Sequence, residues 1–137
     1  MAVLLVDDND FDVKRVLRGF EKLGDTRAVK RARDGIEALE ILRGEADSEK
    51  STGPMVVILD LNMPRMGGLE FLDEVRSDEQ LCATPVFVVT TSDFHQDIKA
   101  AHSRMISGYF VKPDTSDEMI NVLKILSEYW DTATYPN

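Results

Sequence analysis

Short apolar runs alternate along the chain with longer amphipathic stretches. Nearly unbroken apolar runs are typical of strands that are buried on both faces of a parallel sheet. Stretches in which apolar residues recur at intervals of three and four positions predict helices packed on that sheet. The predicted strands are residues 2–6, 26–32, 55–59, 85–89 and 108–111, and the predicted helices are residues 10–23, 34–43, 68–76, 94–105 and 116–130. This alternation predicts an α/β fold with right-handed crossovers.

The number of β/α units narrows the sheet topology. Five units are compatible with the flavodoxin-like (βα)5 doubly wound parallel sheet, whose strand order 2-1-3-4-5 sets the first and third strands side by side. The second strand has a weaker, mixed pattern and is predicted near a sheet edge. Gly24 is expected to end the first helix, whose predicted inward side chains are Val13, Val16, Leu17 and Phe20. Residues 44–53 are polar and are expected to form a mobile loop.

Length and composition fit one globular domain covering residues 1–137. The chain is 43% apolar and 30% charged, which is ordinary for a soluble protein. A formal charge of −9 disfavours nucleic acid as a partner, because phosphate binding requires a basic surface. The single cysteine, Cys82, is expected to be a partly buried small side chain and fits a reducing compartment. No apolar stretch reaches membrane-spanning length and no basic leader precedes the first strand, so we expect a cytoplasmic protein without a membrane partner.

Charged and hydroxyl side chains follow or end four of the predicted strands. Asp7 and Asp8 come after the first strand, Asp60 after the third, Thr90 after the fourth and Lys112 after the fifth. Open α/β sheets place their sites at the carboxyl ends of the strands, so these side chains are expected to meet. Three clustered carboxylates repel one another unless a cation compensates, and Mg²⁺ prefers such hard oxygen ligands. An Asp-Asp pair alone favours a helix cap or a solvated turn; its coincidence with the other strand ends favours a site.

These residues also carry a family resemblance. They are Asp7-Asp8, Asp60-Leu61-Asn62-Met63-Pro64, Gly67-Gly68, Thr90 and Tyr109-Phe110-Val111-Lys112-Pro113. With this spacing the chain resembles a bacterial response-regulator receiver domain of two-component signalling, from Val3 to about Trp130. The segment Pro85-Val86-Phe87-Val88-Val89-Thr90-Thr91-Ser92 and the ending Tyr129-Trp130, followed by Tyr135-Pro136, are similar to stand-alone receivers that partner bacterial phytochrome kinases.

The resemblance implies a phosphoprotein that acts in a phosphorelay. Asp60 is implied as the phosphoacceptor, taking its phosphoryl group from a sensor histidine kinase or a phosphotransfer protein. The implied Mg²⁺ ligands are Asp7, Asp8, Asp60 and the backbone carbonyl of Asn62. Thr90 and Lys112 are implied to bind phosphoryl oxygens. The protein is then not an enzyme in the usual sense, although it assists its own phosphorylation and dephosphorylation, since positioning and charge neutralisation supply most of the catalysis of phosphoryl transfer.

Further roles follow from the same resemblance. Thr90 and Tyr109 form the implied switch: the hydroxyl moves toward the phosphoryl group and the ring turns inward. The Lys112–Pro113 peptide is expected to be cis. Asn62 and Ser92 are positions expected to tune the rate at which phosphorylated Asp60 is hydrolysed. Thr91 is a third such position, because its side chain is bulkier than usual for the family and narrows access to Asp60. Met105-Ile106 stands where the family usually has small residues, so the preceding helix is expected to be less regular.

The last helix offers a candidate output surface. Its predicted core stripe is Met119, Val122, Leu123, Leu126 and Trp130. Ile125 and Tyr129 fall on the flank of this stripe and indicate either scattered surface hydrophobes or a surface for a partner or a second copy, beside the fifth strand. His95 and His102 are expected to be surface side chains.

Three other functions remain open from the residues alone. A flavodoxin-like flavin binder is disfavoured, because Asp7-Asp8 would repel the flavin phosphate. A Mg²⁺ phosphatase with an aspartyl nucleophile usually needs a second acid two residues on, where this chain has Asn62. A receiver-like docking module that is never phosphorylated would keep the same residues.

Overall fold

The structure, a computed structural model, describes residues 1–45 and 54–135. Five strands alternate with five helices. The strands are β1 (Ala2–Val6), β2 (Val29–Ala32), β3 (Met55–Leu59), β4 (Val86–Thr90) and β5 (Gly108–Val111). The helices are α1 (Asp10–Leu23), α2 (Gly35–Leu42), α3 (Gly68–Ser77), α4 (His95–His102) and α5 (Ser116–Thr132). The predicted order of elements is confirmed.

The five strands form one parallel sheet in the order β2-β1-β3-β4-β5. The predicted flavodoxin-like topology is therefore confirmed, and β2 lies at an edge as expected. Val6 pairs with Leu59 at the carboxyl ends of β1 and β3. Asp7 and Asp60, each one residue further along, consequently leave the sheet next to each other.

A separate apolar core lies on each face of the sheet. On one face, Leu4, Val6 and Leu59 pack with residues of α2 and α3 and with Ala101 of α4. On the other face, side chains of α1 and α5 cover the alternate strand residues. They include Val16, Phe20, Met119, Leu123, Leu126 and Trp130. Full burial of each large apolar side chain contributes about 1.5–3 kcal/mol, so both layers hold the sheet that carries the strand ends.

Helix caps explain where several helices begin and end. The side chains of Asn9, Asp34 and Thr115 accept hydrogen bonds from backbone amides in the first turns of α1, α2 and α5. Gly24 ends α1 as predicted, with φ 69°, a conformation that glycine adopts without steric cost. Neither α3 nor α4 has a side-chain hydrogen bond at its N-cap.

Some element boundaries and burial predictions were wrong. β2 begins at Val29 rather than at residue 26, because the Arg27 amide donates to Asp25 Oδ1 in a turn before the strand. Leu17 is 43% exposed, since the buried stripe of α1 is already completed by its neighbours one turn away. Cys82 is exposed in the turn after α3. Within the predicted loop of residues 44–53, residues 46–53 lie outside the described residues.

The region around Met105 differs from the predicted helix. α4 ends at His102 rather than at residue 105, and Met105 has φ 57°, a value that a helix cannot accommodate. The side chain of Arg76 on α3 donates to the carbonyls of Arg104 and Met105 and so fixes this turn. The expectation of a less regular element before Met105-Ile106 agrees with this early end.

The expected cis peptide before Pro113 was also wrong. No cis peptide bond occurs in residues 1–45 and 54–135. The trans isomer is the more stable one even before proline. With the trans bond, the Lys112 amide donates to the Thr90 carbonyl at 2.7 Å, so β5 remains paired with β4 up to this residue. In the described part of the chain, no helix combines the length and the apolar character needed to cross a membrane.

Candidate functional site

Three carboxylates converge at the carboxyl edge of the sheet. Asp7, Asp8 and Asp60 each offer one oxygen, and these three oxygens lie within 4.8 Å of one another. Asp7 and Asp60 are buried, whereas Asp8 is exposed. The cluster therefore lies at the end of the core with one side open to solvent, as expected for a site that exchanges a small ion.

Lys112 brings a buried positive charge to this cluster. Its Nζ lies 2.9 Å from Asp7 Oδ2 and 3.5 Å from Asp60 Oδ2. Burial alone lowers the pKa of Lys112, but hydrogen bonds to Asp12 and Asp7 and the charge of Asp60 outweigh burial and raise the pKa above its usual value. Lys112 is therefore a permanent cation at neutral pH. Burial likewise raises the pKa of Asp7 even though Lys112 and the Asn9 amide donate hydrogen bonds to it.

Asp60 is held between a hydroxyl and an ammonium group. Thr90 Oγ1 donates to Asp60 Oδ1 at 2.7 Å, while Lys112 faces Asp60 Oδ2. The backbone amide of Asn62 lies 3.4 Å from the same Oδ1. Thr90 has no exposed surface, so its hydroxyl cannot donate its hydrogen bond to solvent instead. The sequence prediction that Asp60, Thr90 and Lys112 meet is borne out by these distances.

The loop after Asp60 explains the glycines of the motif. A Cβ on Gly68 would lie 2.7 Å from the Asp60 carbonyl oxygen and from Leu61 Cα, so α3 can begin this close to β3 only with glycine. Arg65 has φ 62°, and its Nε donates to the buried carboxylate of Asp34 at 2.6 Å. This ion pair ties the β3–α3 loop to the cap of α2.

The predicted switch and tuning residues surround Thr90. The Tyr109 hydroxyl donates to the Ser92 carbonyl at 2.8 Å, and its ring stacks on His102 at 6.4 Å between centroids. Ser92 is buried and its hydroxyl donates to Asp97. Thr91 is exposed. Tyr109 therefore contacts the backbone two residues beyond Thr90.

The candidate output residues lie away from the cluster. Ile125 and Tyr129 are 55% and 49% exposed on α5, and the Tyr129 ring packs edge-on against Phe87 at 5.3 Å. The predicted core stripe of α5 is buried, with Val122 only partly covered. His95 and His102 are exposed, as expected.

Sequence reasoning missed two residues that contact the site from α1. Asp12 Oδ2 lies 2.8 Å from Lys112 Nζ, and Arg15 Nη1 lies 3.4 Å from Asp12 Oδ1. The same guanidinium donates to the carbonyls of Pro113 and Thr115 at 2.9 Å. The spacing of Asp12 and Arg15, three residues apart on α1, was visible in the sequence, but their partners lie about one hundred residues away along the chain.

Residues 3–124 match the family described as the response regulator receiver domain. The chain belongs to this family. The probable methanogenesis regulatory protein FilR2 of Methanothrix harundinacea (strain 6Ac) is 36% identical over 128 residues, which are 93% of this chain and 82% of the relative.

Two solved structures of response regulators are similar to this chain over nearly its whole length. The crystal structure of the phosphorylated cyanobacterial phytochrome response regulator RcpA is 31% identical, with a TM-score of 0.90 over 99% of this chain and 98% of that chain. The Mn²⁺-bound form of response regulator Rcp1 is 28% identical, with a TM-score of 0.87 over 99% of each chain. The predicted resemblance to phytochrome-partner receivers is therefore confirmed at the level of structural similarity.

Membership in the family fixes the general class of function. Receiver domains take part in two-component signal transduction as phosphoacceptors, and they bind Mg²⁺ or Mn²⁺ at an acidic pocket. The three clustered carboxylates of this chain supply the hard oxygen donors that such ions prefer. The donor set therefore fits a divalent cation.

Proposed function

We propose that this protein is a single-domain response regulator, residues 1–137, in which Asp60 accepts a phosphoryl group from a sensor histidine kinase or a phosphotransfer protein. The observation that carries the proposal is the placement of Asp60 between Thr90 and Lys112 and beside two further carboxylates. A hydroxyl donor and a fixed cation at a single carboxylate are what a transferred phosphoryl group requires.

The transfer is an in-line displacement at phosphorus. An oxygen of the Asp60 carboxylate forms the new P–O bond while the P–N bond to the donor histidine breaks. The imidazole nitrogen leaves with the bonding electron pair and takes up a proton, and Asp60 becomes an acyl phosphate. Thr90 donates to one phosphoryl oxygen and Lys112 neutralises another, which is where stabilisation is most effective in such a loose transition state. The donor, not this protein, supplies the high-energy bond.

Asp7, Asp8, Asp60 and the backbone carbonyl of Asn62 are proposed to hold Mg²⁺. The bound ion would neutralise charge on the phosphoryl oxygens and on the carboxylate cluster. The exposed position of Asp8 leaves an open path for the ion and its water ligands. Removal of Mg²⁺ with a chelator is then expected to prevent phosphorylation of Asp60.

Thr90 and Tyr109 are proposed as the switch. The Thr90 hydroxyl donates a hydrogen bond to unphosphorylated Asp60. Phosphorylation of Asp60 would offer this hydroxyl a more highly charged acceptor. The Tyr109 hydroxyl is bonded to the Ser92 carbonyl, so a shift of the backbone after Thr90 changes the position of the ring. The ring then turns inward into the space that Thr90 leaves.

Asn62, Thr91 and Ser92 are proposed to set the lifetime of the phosphorylated state. Asn62 and Thr91 are exposed beside Asp60 and Thr90, where they can hinder attacking water. Thr91→Ala is expected to speed dephosphorylation several-fold, measured as loss of the phosphorylated species over time. An unchanged rate in this variant would exclude the access role of Thr91.

The proposed partners are proteins. Similarity to phytochrome response regulators supports a phytochrome-type histidine kinase as the donor. The net charge of −9 disfavours nucleic acid, and we propose a cytoplasmic location without a membrane partner. The output signal leaves through the face of α5 and β5 that carries Ile125 and Tyr129, by contact with a target or by formation of a homodimer.

Direct phosphorylation tests the proposed function. The purified protein is treated with Mg²⁺ and acetyl phosphate, and its intact mass is compared with that of Asp60→Asn. We expect the mass of one phosphoryl group on the wild-type protein and none on the variant. A wild-type protein that stays unmodified, or a variant modified to the same extent, would contradict the assignment.

A charge placed on α5 tests the output surface. Ile125→Glu is expected to weaken self-association or partner binding of the beryllofluoride-treated protein, measured by sedimentation, while the thermal unfolding midpoint stays close to that of the wild type. Asn121→Glu adds the same charge at another exposed position of α5 and serves as the control. Equal association of all three proteins would remove Ile125 from the proposed surface.

A further inference from the structure

One carboxylate that contacts Lys112 has no part in the proposed phosphoacceptor chemistry. Asp12, in the first turn of α1, is 9% exposed, and its Oδ2 lies 2.8 Å from Lys112 Nζ. This distance is shorter than the 3.5 Å between Lys112 and Asp60. In the described form, the ammonium group is therefore bound more closely to a residue of α1 than to the proposed phosphoacceptor.

A simple capping role does not explain Asp12. In a capping box, a Glu or Gln side chain three residues after the N-cap reaches back to the N-cap amide. Here the Asn9 amide donates to Asp7 Oδ1 at 2.9 Å, while the Asn9 side chain accepts from the Asp12 amide. The backbone of Asp12 is thus fixed by the cap, and its carboxylate remains available for Lys112.

Arg15 orients this carboxylate. Its Nη1 lies 3.4 Å from Asp12 Oδ1, and its Nη2 donates to the carbonyls of Pro113 and Thr115. The two oxygens of Asp12 consequently have different partners, Arg15 on one side and Lys112 on the other. Arg15 also fixes the backbone just after Lys112, so α1 holds both the ammonium group and the loop that follows it.

We infer that Asp12 is a positioning residue that holds the Lys112 ammonium on the α1 side of the site until a phosphoryl group on Asp60 attracts it. The inference rests on the proposed function, because it concerns the same site. Without the charge of Asp12, Lys112 would keep only Asp7 and Asp60 as carboxylate partners among those it contacts in the described residues. Both are proposed Mg²⁺ ligands, so Lys112 would compete more strongly with the ion. It would also be freer to bind a phosphoryl oxygen.

These two consequences have opposite signs, which makes the inference testable with Asp12→Asn. The Kd for Mg²⁺, measured by calorimetry, is expected to rise about three- to tenfold, the effect typical of the net contribution of one hydrogen bond. The Kd for beryllofluoride at saturating Mg²⁺ is expected to fall by about the same factor. A merely structural role of Asp12 would weaken both bindings. Asp12→Ser provides a second neutral variant if Asp12→Asn folds poorly.

Three further variants separate positioning from general charge effects. Asp10→Asn removes one negative charge from the same turn of α1, where Asp10 pairs with Arg31 instead of Lys112, and should change either Kd less than about twofold. Asp12→Glu restores the charge and should restore both values toward those of the wild type. In a Lys112→Met background, Asp12→Asn should lose most of its effect, because there is no ammonium group to position.

The outcomes distinguish the two proposals. Changes of the same sign in both Kd values, or changes that persist unaltered in the Lys112→Met background, would overturn the role of Asp12. If the wild type binds Mg²⁺ and beryllofluoride and Asp12→Asn binds them equally well, this inference alone fails. If the wild type binds neither ion, both proposals fail.

Discussion

The helix α4 is fixed much less firmly than the pair α1 and α5 on the opposite face of the sheet. On one face, α1 and α5 are capped by Asn9 and Thr115 and bury several large side chains between them. On the other face, α4 has eight residues, no side-chain hydrogen bond at its N-cap and a single buried residue, Ala101. Local stability follows buried apolar contact, so α4 is expected to open more easily than the pair α1 and α5.

The difference between α4 and the pair α1 and α5 matches the way the two sides of the site are held. Lys112 is held from the well-packed face by Asp12 and Arg15. The segment from Thr90 to Ser92 and the ring of Tyr109 lie on the side of α4. The carboxyl end of α4 is nevertheless tied to α3, because Arg76 binds the Arg104 and Met105 carbonyls and Arg104 pairs with Asp73. Movement is therefore expected mainly at the amino end of α4, next to the proposed switch.

Shortening a core side chain on each face should give the largest contrast. Leu123→Ala on α5 removes a fully buried side chain and is expected to lower the free energy of unfolding by about 2–5 kcal/mol. Ile98→Ala on α4, where Ile98 is only partly buried, should cost about 1 kcal/mol. Urea unfolding measures both values. Equal losses would show that α4 is packed as firmly as α5.

Hydrogen exchange compares the helices without a mutation. Backbone amides in the middle of α4 are expected to exchange about tenfold or more faster than those in the middle of α1 and α5, because fewer apolar contacts must break to expose them. Mass spectrometry of peptic fragments or NMR can measure the rates. Similar protection of all three helices would show that α4 is as firmly fixed as α1 and α5.

The pH dependence of stability tests the link between α1 and α5. Burial alone raises the pKa of Asp25, but hydrogen bonds from the Arg27 amide and the Ser127 hydroxyl and the charge of Arg27 bring the pKa below its ordinary value of 3.8. A carboxylate whose pKa is lower in the folded state stabilises the fold above the unfolded-state pKa, and this stabilisation disappears as pH falls through the folded-state pKa.

Asp25→Asn is therefore expected to cost about 1–2 kcal/mol of unfolding free energy at neutral pH. The difference in unfolding free energy between the wild type and Asp25→Asn should stay constant down to about pH 5. It should shrink as the pH falls below the ordinary aspartate pKa of 3.8. Chemical denaturation at several pH values measures it, and Glu128→Gln at an exposed position of α5 is the control. A difference that grows on acidification would contradict the direction of the Asp25 pKa.

The smallest effect is expected from giving α4 the cap that it lacks. Phe94 occupies the N-cap position and is exposed. Phe94→Ser supplies a hydroxyl acceptor for the first turn and should raise the free energy of unfolding by about 0.5–1 kcal/mol relative to Phe94→Ala, which removes the ring without adding a cap. Thermal unfolding of the two variants makes the comparison. Identical midpoints would show that the start of α4 is not limited by capping.

Much of the fold and of the site could be predicted from local pattern. The strands were visible because both of their faces are buried, which leaves continuous apolar runs such as residues 55–59. The site was visible because parallel strands bring their carboxyl ends to the same side of the sheet, so Asp7, Asp60 and Lys112 were expected to meet if the strand order was 2-1-3-4-5. Both inferences need only the order of residues within short segments.

Most of what the sequence did not predict depends on contacts between distant segments. Nothing near Asp12 in the sequence indicates that Lys112 is its partner. Leu17 continues the helical stripe of α1 but is 43% exposed, because the spacing within α1 does not show how far the neighbouring elements cover it. The exposure of Cys82 likewise follows from the turn after α3, whose carbonyls bind Arg76. The cis peptide before Pro113 was inferred from resemblance, and a proline permits the cis isomer without requiring it.

The position of β1 has a consequence for biosynthesis. One of its two neighbours in the sheet is β3. Ala2 of β1 pairs with Met55 of β3, and more than fifty residues of chain lie between them. A nascent polypeptide emerging from the ribosome therefore cannot complete this pairing until β3 has left the exit tunnel. During that interval the apolar residues of β1 lack their β3 partner, so early chaperone contact with this strand is expected.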